Sequence, residues 1–237
     1  MIKKKITIIT FLLGFILNST LSQESNFGLQ LGVGSYDMAQ LKSINDEVLR
    51  SLQFDAKVTD NFSPFWYYKA YWIFPISKTV GLGFKLSFHS TASRISRADY
   101  SGEYRFDNKL YCLAPGLLLD IKLYSKSKFK IILYDETGME FSKINLDEKI
   151  QIYTSINEET KDYKSNNVYT ELGLKYAYDF KRLSIGLNTG FLLDIKNGII
   201  NNSTKLIDFG NGEGTRLSWT GFRIGVFVSY NLSSKKN

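Results

Sequence analysis

The chain is poor in the residues that staple, kink or catalyse: its 237 residues include one cysteine, one histidine and three prolines. Cys112 alone can make no internal disulfide, so stability has to come from packing or from a membrane and not from covalent cross-links. No apolar stretch reaches the length of a transmembrane helix, which takes about 20 residues. Only a closed sheet is left as a way to cross a bilayer, because lipid satisfies no backbone hydrogen bond. The chain also lacks any lysine- or arginine-rich run after its first residues, so nucleic acid is not an expected partner.

What is present points to β structure and export. Fifteen tyrosines and seventeen phenylalanines favour strands. At the N-terminus, Lys3, Lys4 and Lys5 precede the apolar run Ile6 to Leu17 and the small polar stretch Asn18 to Ser22. This pattern predicts a secretory signal over residues 1–22, cut before Gln23, with residues 23–237 as one domain. Three of the 30 basic residues and none of the 23 acidic ones lie in the signal, which lowers the formal charge from +7 to +4. No cysteine follows the run, so a lipid anchor is not expected.

Period-two alternation is clearest where Val80, Leu82, Phe84, Leu86 and Phe88 oppose Gly81, Gly83, Lys85, Ser87 and His89. It recurs with Phe27, Leu29, Leu31 and Val33, with Leu172, Leu174, Tyr176 and Tyr178, and with Leu183, Ile185, Leu187 and Phe191. In each case the polar face is also the small face, with glycine at almost every second position. Glycine on a water-washed face would weaken a strand for no gain. On the concave face of a narrow barrel it makes room for larger neighbours, so the apolar face is read as facing lipid. Aromatics crowd the segment from Phe65 to Phe74, as in an interfacial girdle.

Eight segments follow, near 26–36, 63–74, 79–91, 109–123, 128–142, 167–179, 183–195 and 217–232. Their connections alternate: long near 37–61, 92–108, 147–166 and 197–216, short near 75–78, 124–127 and 180–182. The expected fold class is therefore all-β: an eight-stranded antiparallel up-and-down transmembrane β-barrel, with the long links extracellular. A helix is predicted in the first link, where Met38, Leu41, Ile44, Val48 and Leu52 recur at spacings of three and four. It should cap the barrel mouth.

A barrel of eight strands has its interior filled by side chains. The inward set includes Lys85, Asp120, Glu136, Glu140, Glu171, Lys175, Asp194 and Arg223, expected to form a mixed-sign network because unpaired charges there are costly. Two residues fit less well. Pro115 falls inside a strand, where a bulge or local break is expected. Asp135 shares the parity of Phe129, Ile131 and Leu133, so either a bulge reorients it or it lies near the outer interface.

The second link reads Asp99-Tyr100-Ser101-Gly102-Glu103-Tyr104-Arg105-Phe106-Asp107, and the last segment contains Arg223-x-Gly225-x-x-Val228-x-Tyr230. With the glycine-rich strands, these residues resemble the outer-membrane β-barrel domain of Bacteroidetes-type surface proteins, an architecture shared with OmpA-like and PorT-like barrels. Arg223, Gly225, Val228 and Tyr230 look like the C-terminal signal read by the barrel-assembly machinery, although Asn231 to Asn237 continue past it. Asp99, Tyr100, Ser101 and Gly102 read as a turn that shapes the loop. The resemblance implies a bacterial outer-membrane location, with membrane lipid, the assembly machinery and an unnamed envelope or surface component as partners. It implies no reaction and no cofactor.

An enzyme would need a nucleophile activated by a histidine. His89 is followed by Ser90 and Thr91, but its parity points inward, away from lipid, and no His-x-Ser-Asn arrangement is present. The segment Asp208 to Gly214 lacks the alternating acids and distal glutamate of a calcium loop, so it reads as a turn and no metal is expected. A structural or surface-recognition protein is the leading reading. A small pore for ions or solutes, and a lipid-modifying enzyme using His89, are the alternatives.

Overall fold

Period-two alternation becomes the two faces of one closed sheet. The computed structural model describes residues 25–100, 102–153, 155–196, 198–199, 201–202, 205–206 and 216–232. The signal expected over 1–22, the segment Asp208 to Gly214 and much of the fourth link lie outside them. The elements run β1 (Ser25–Gly34), α1 (Ala39–Ser51), β2 (Lys57–Asn61), β3 (Phe65–Pro75), β4 (Val80–Asp99), β5 (Gly102–Lys126), β6 (Phe129–Ile152), β7 (Ser155–Phe180) and β8 (Leu183–Lys196). Four two-residue pieces follow, β9 (Gly198–Ile199), β10 (Asn201–Asn202), β11 (Lys205–Leu206) and β12 (Arg216–Leu217), before β13 (Gly221–Leu232).

Antiparallel ladders join β1 to β3, β3 to β4, and so on through β8, then β8 to β13 and β13 back to β1. Eight strands thus form an up-and-down ring without an edge. The outward face carries a belt of apolar side chains, among them Leu29, Phe84, Leu86, Leu172, Ile185 and Leu187, each about half exposed. On β6 the belt runs from Phe129 to Phe141 and gives way to Lys143; on β5 it ends at Tyr111 before Lys109. Inside, glycine clears space for tyrosine. A Cβ on Gly28 would fall within the Tyr71 ring, and one on Gly190 would overlap the Tyr134 hydroxyl.

The two ends differ, but not wholly as expected. Tight turns close one end, where Ser127 and Lys181 take the left-handed φ of 55° and 54°. At the other end the first link holds α1, as the spacing predicted. The second and third long links are not loops: β4 pairs with β5 out to Asp99↔Gly102, and β6 with β7 out to Ile152↔Ser155. Strands β4 to β7 have 20, 25, 24 and 26 residues against 10, 11 and 12 in β1, β3 and β13, so the wall is tall on one side only. The excess of roughly a dozen residues extends the sheet by roughly 40 Å. These extensions escape an apolar/polar reading because above the belt neither face meets lipid. Arg94 donates from Nε at 2.6 Å and Nη2 at 2.8 Å to Asp107, Lys109 pairs with Asp147 at 2.9 Å, and Lys149 with Glu103 at 3.0 Å. Such cross-strand charge pairs hold a sheet in water.

The two misfits resolve locally. At Pro115 the ladder to β6 is interrupted across Ala114 and Pro115, but the register resumes unchanged, Leu113↔Phe141 and then Gly116↔Gly138. The bulge in β5 falls between Lys122 and Tyr124 instead. Asp135 follows neither expected course. It stays in register, opposite Leu119 and Leu172 in the middle of the belt, and accepts a 2.8 Å hydrogen bond from Thr170 Oγ1.

Replacing Gly28 by leucine should displace the Tyr71 ring and destabilise the barrel by about 1–3 kcal/mol, the usual cost of overpacking. The fraction of folded, fast-migrating protein on unheated gels after titration with urea measures it.

Candidate functional site

The lumen is a stack of three polar layers held by side chains of opposite sign. In the layer towards the tight turns, Lys175 Nζ donates to Asp120 at 2.8 Å and 3.1 Å and lies over the Tyr71 and Tyr134 rings at 4.9 Å and 5.0 Å. Cations are attracted to the negative faces of such rings.

The middle layer joins five charged groups, all nearly or fully buried. Lys69 Nζ donates to Glu136 Oε1 at 2.5 Å and lies 3.5 Å from Glu171 Oε1, while Lys85 Nζ stands 3.5 Å from Glu136 Oε2. Arg223 Nη1 donates to Glu171 Oε2 at 3.0 Å, and Tyr134 Oη donates to Oε1 of the same carboxylate at 2.8 Å. The Arg223 guanidinium lies over Tyr67 at 5.2 Å and the Lys85 ammonium over Tyr169 at 4.5 Å. The Tyr67 hydroxyl accepts from Gln30 Nε2 at 2.6 Å and Asn188 Nδ2 at 3.2 Å. Glutamates that each face two cations, with a phenol added at Glu171, are the arrangement in which buried charge is tolerable.

The layer nearest the mouth is chemically different. His89 on β4 faces Cys112 directly across the ladder to β5, and Glu140 on β6 places Oε1 3.5 Å from His89 Nε2. Trp219, in the bend before β13, packs edge-on against His89 at 4.5 Å and donates from Nε1 to Ser142 Oγ at 2.9 Å. Its backbone N–H donates to Asp194 Oδ2 at 2.7 Å. Asn167 Nδ2 donates to Asp194 at 3.3 Å and to the Leu217 carbonyl at 3.1 Å. Above this layer α1 fills the mouth. Its Asn45 donates to Ser93 Oγ at 3.0 Å and accepts from Asn108 Nδ2 at 2.7 Å, while Leu41 and Ile44 join the apolar cluster of Tyr36, Met38 and Trp219.

Of the eight inward charges read from the sequence, the fold brings Lys85, Glu136, Glu171 and Arg223 into one cluster, pairs Asp120 with Lys175, and sets Glu140 and Asp194 in the third layer. Lys69 was missed because both faces of β3 are aromatic; its parity with Tyr67 and Tyr71, against Trp66, Tyr68 and Trp72, was the available signal. Trp219 was missed because residues 218–220 read as strand, whereas the chain bends into the lumen there. Asp99 pairs with Gly102 at the β4–β5 turn, Tyr100 is almost fully exposed, Arg97 Nη2 lies 3.0 Å from Asp99, and Ser101 lies outside the described residues. On β13, Arg223 and Gly225 face inward, whereas Val228 and Tyr230 lie on the outward face.

Removing one partner of the middle layer strands the others in a dry interior. Glu171→Ala should cost about 3–5 kcal/mol, while Lys109→Ala on the exposed sheet should cost about 1 kcal/mol or less. Urea unfolding in detergent, followed by tryptophan fluorescence, distinguishes them.

No family model matches the sequence, and no curated protein matches it. Among solved structures the chain is similar to a major outer membrane protein from Thermus thermophilus, at 12% identity over 88% of this chain and 100% of that one, with a TM-score of 0.48. It is similar also to the outer membrane protein OprG from Pseudomonas aeruginosa, at 11% identity over 90% and 97% of the two chains and a TM-score of 0.47. Ail, the attachment invasion locus protein of Yersinia pestis, matches at 10% identity over 88% and 99%, with a TM-score of 0.40.

Proposed function

We propose that this protein is an integral outer-membrane barrel of structural or surface-recognition type, whose plugged cylinder holds the tall β4–β7 sheet at the cell surface. The observation that carries the reading is the pairing of an outward apolar belt with a wall that rises far beyond it on one side. A closed ring whose outer face is leucine, isoleucine and phenylalanine has a stable solvent only in lipid. The extended sheet is charged on its surface and ends in the exposed side chains of Tyr100 and Tyr153, a shape suited to contact with a surface or envelope component. Export by the N-terminal signal, and assembly guided by Arg223, Gly225, Val228 and Tyr230, belong to the same proposal. So does a place among the Bacteroidetes-type barrels, on the resemblance of those residues and of Asp99 to Gly102. No feature of the lumen favours a pore, since its charged layers interlock and α1 fills the mouth. The lipid-modifying alternative is disfavoured because His89 has no exposed surface.

Three results test this. Cysteine placed at Tyr100 or Tyr153 should react with a membrane-impermeant maleimide on intact cells; reaction only after the outer membrane is permeabilised would overturn the orientation. Leu187→Arg should reduce folding into vesicles by about 2–4 kcal/mol, the cost of a cation at the bilayer midplane. The extended sheet should also weaken in acid. The hydrogen bond from Lys109 holds Asp147 below its ordinary pKa, and that from Lys149 does the same to Glu103. The stability they contribute is present above the unfolded-state values and disappears as pH falls through the lowered ones. Amide exchange in residues 102–107 and 146–150 should therefore quicken below the ordinary carboxylate range, while the ladder within the belt stays protected.

A further inference from the structure

We infer that the upper lumen layer is a binding site for a borderline divalent transition metal of the zinc class, ligated by His89, Cys112 and Glu140. One ligand atom from each of the three lies within 4.8 Å of the other two, and all three side chains are buried. Both ring nitrogens of His89 lack a hydrogen-bond partner, and so does Glu140 Oε1, which faces Nε2. An imidazole and a carboxylate oxygen that are fully buried and unsatisfied are costly, and they point into the same small space.

The spacing suits a shared ion better than a direct bond. At 3.5 Å the His89 to Glu140 contact is too long for a good hydrogen bond. Two ligands each about 2.0–2.1 Å from a tetrahedral ion stand about 3.3 Å apart. A thiolate at about 2.3 Å from the ion lies roughly 3.5 Å from the imidazole nitrogen, so closing the site asks for rotamer adjustments of roughly 1 Å.

Charge argues the same way. The lysines and Arg223 of the middle layer are engaged by Glu136 and Glu171. Among the described residues, Glu140 and Asp194 lie within ion-pair distance of no lysine or arginine. A divalent ion would offset these two carboxylates. On binding, the Cys112 thiol releases its proton to solvent, and the thiolate becomes a ligand. The mixed nitrogen, sulfur and oxygen donors favour zinc-like ions over calcium or magnesium, which take oxygen alone. Tyr36 and Trp219 pack on His89, so the ion enters as the barrel folds.

The test is to refold the full chain in detergent with Co²⁺, which fills zinc sites and reports thiolate ligation by an intense near-ultraviolet absorption. Because Cys112 is the only cysteine, that band identifies it without any variant. The expected result is one equivalent of Co²⁺ in the folded, heat-modifiable species, with the thiolate band present and displaced by Zn²⁺. His89→Gln and Glu140→Gln should each weaken binding at least tenfold, and Cys112→Ser should remove the band. Folded wild-type protein that shows no thiolate band, or Co²⁺ affinity unchanged in folded His89→Gln, would overturn the assignment. Should a variant fail to fold, the wild-type band still decides between the two outcomes.

Discussion

In a closed ring of eight strands there is no free edge and little room for water, so each polar group that points inward must be answered by another part of the protein. The contacts among Lys69, Glu136, Glu171 and Arg223 meet that demand, and much of the remaining interior is arranged around them. Tyrosines supply ring faces to the cations and a hydroxyl to Glu171; glycines supply the space the tyrosines need. The pairs need not add much net stability, because desolvation offsets most of the attraction. Their stronger consequence is register. A slip of one residue in β3 or β6 would carry Lys69 or Glu136 to the outward face among leucine and phenylalanine.

With the lumen closed by this network, the ends of the barrel carry the differences. One end has tight turns and the chain termini of β1 and β13. The other has α1 seated in the mouth and a sheet that continues past the belt on β4 to β7 alone. The layer of His89, Cys112, Glu140 and Asp194 lies where the two regimes meet, beneath the helix and above the interlocked charges.

Legibility followed the solvent contrast. Where one face meets an apolar environment and the other a packed interior, alternation is sharp, and β1, β4, β7 and β8 could be read residue by residue. Lys85 and Arg223 were recognisable as inward because each has glycine or serine on its own face and phenylalanine, leucine or isoleucine on the other, and Glu136 and Glu171 because they share a parity with Gly138 and Gly173. Where that contrast vanishes, the reading failed. Residues 92–108 and 147–166 looked like loops because above the belt charged residues stand on both faces of β4 to β7, and apolar ones such as Ile95, Tyr104 and Ile150 are too scattered to set up an alternation. The turn at Tyr153, with φ of 51°, has no glycine or asparagine to mark it. In β3, aromatics on both faces hid Lys69.

The local pattern by itself determined that the chain forms eight alternating strands, which face of each is apolar, where the tight turns fall and that the first link contains a helix. These follow from period, composition and short-range sterics, which act within a few residues. Only the tertiary structure decided which charges meet, how far the sheet rises, that Trp219 bends inward, and that residues 89, 112 and 140 share one buried space. Those outcomes depend on ring closure and on the register between strands far apart in sequence, a geometry that no local spacing along the chain encodes.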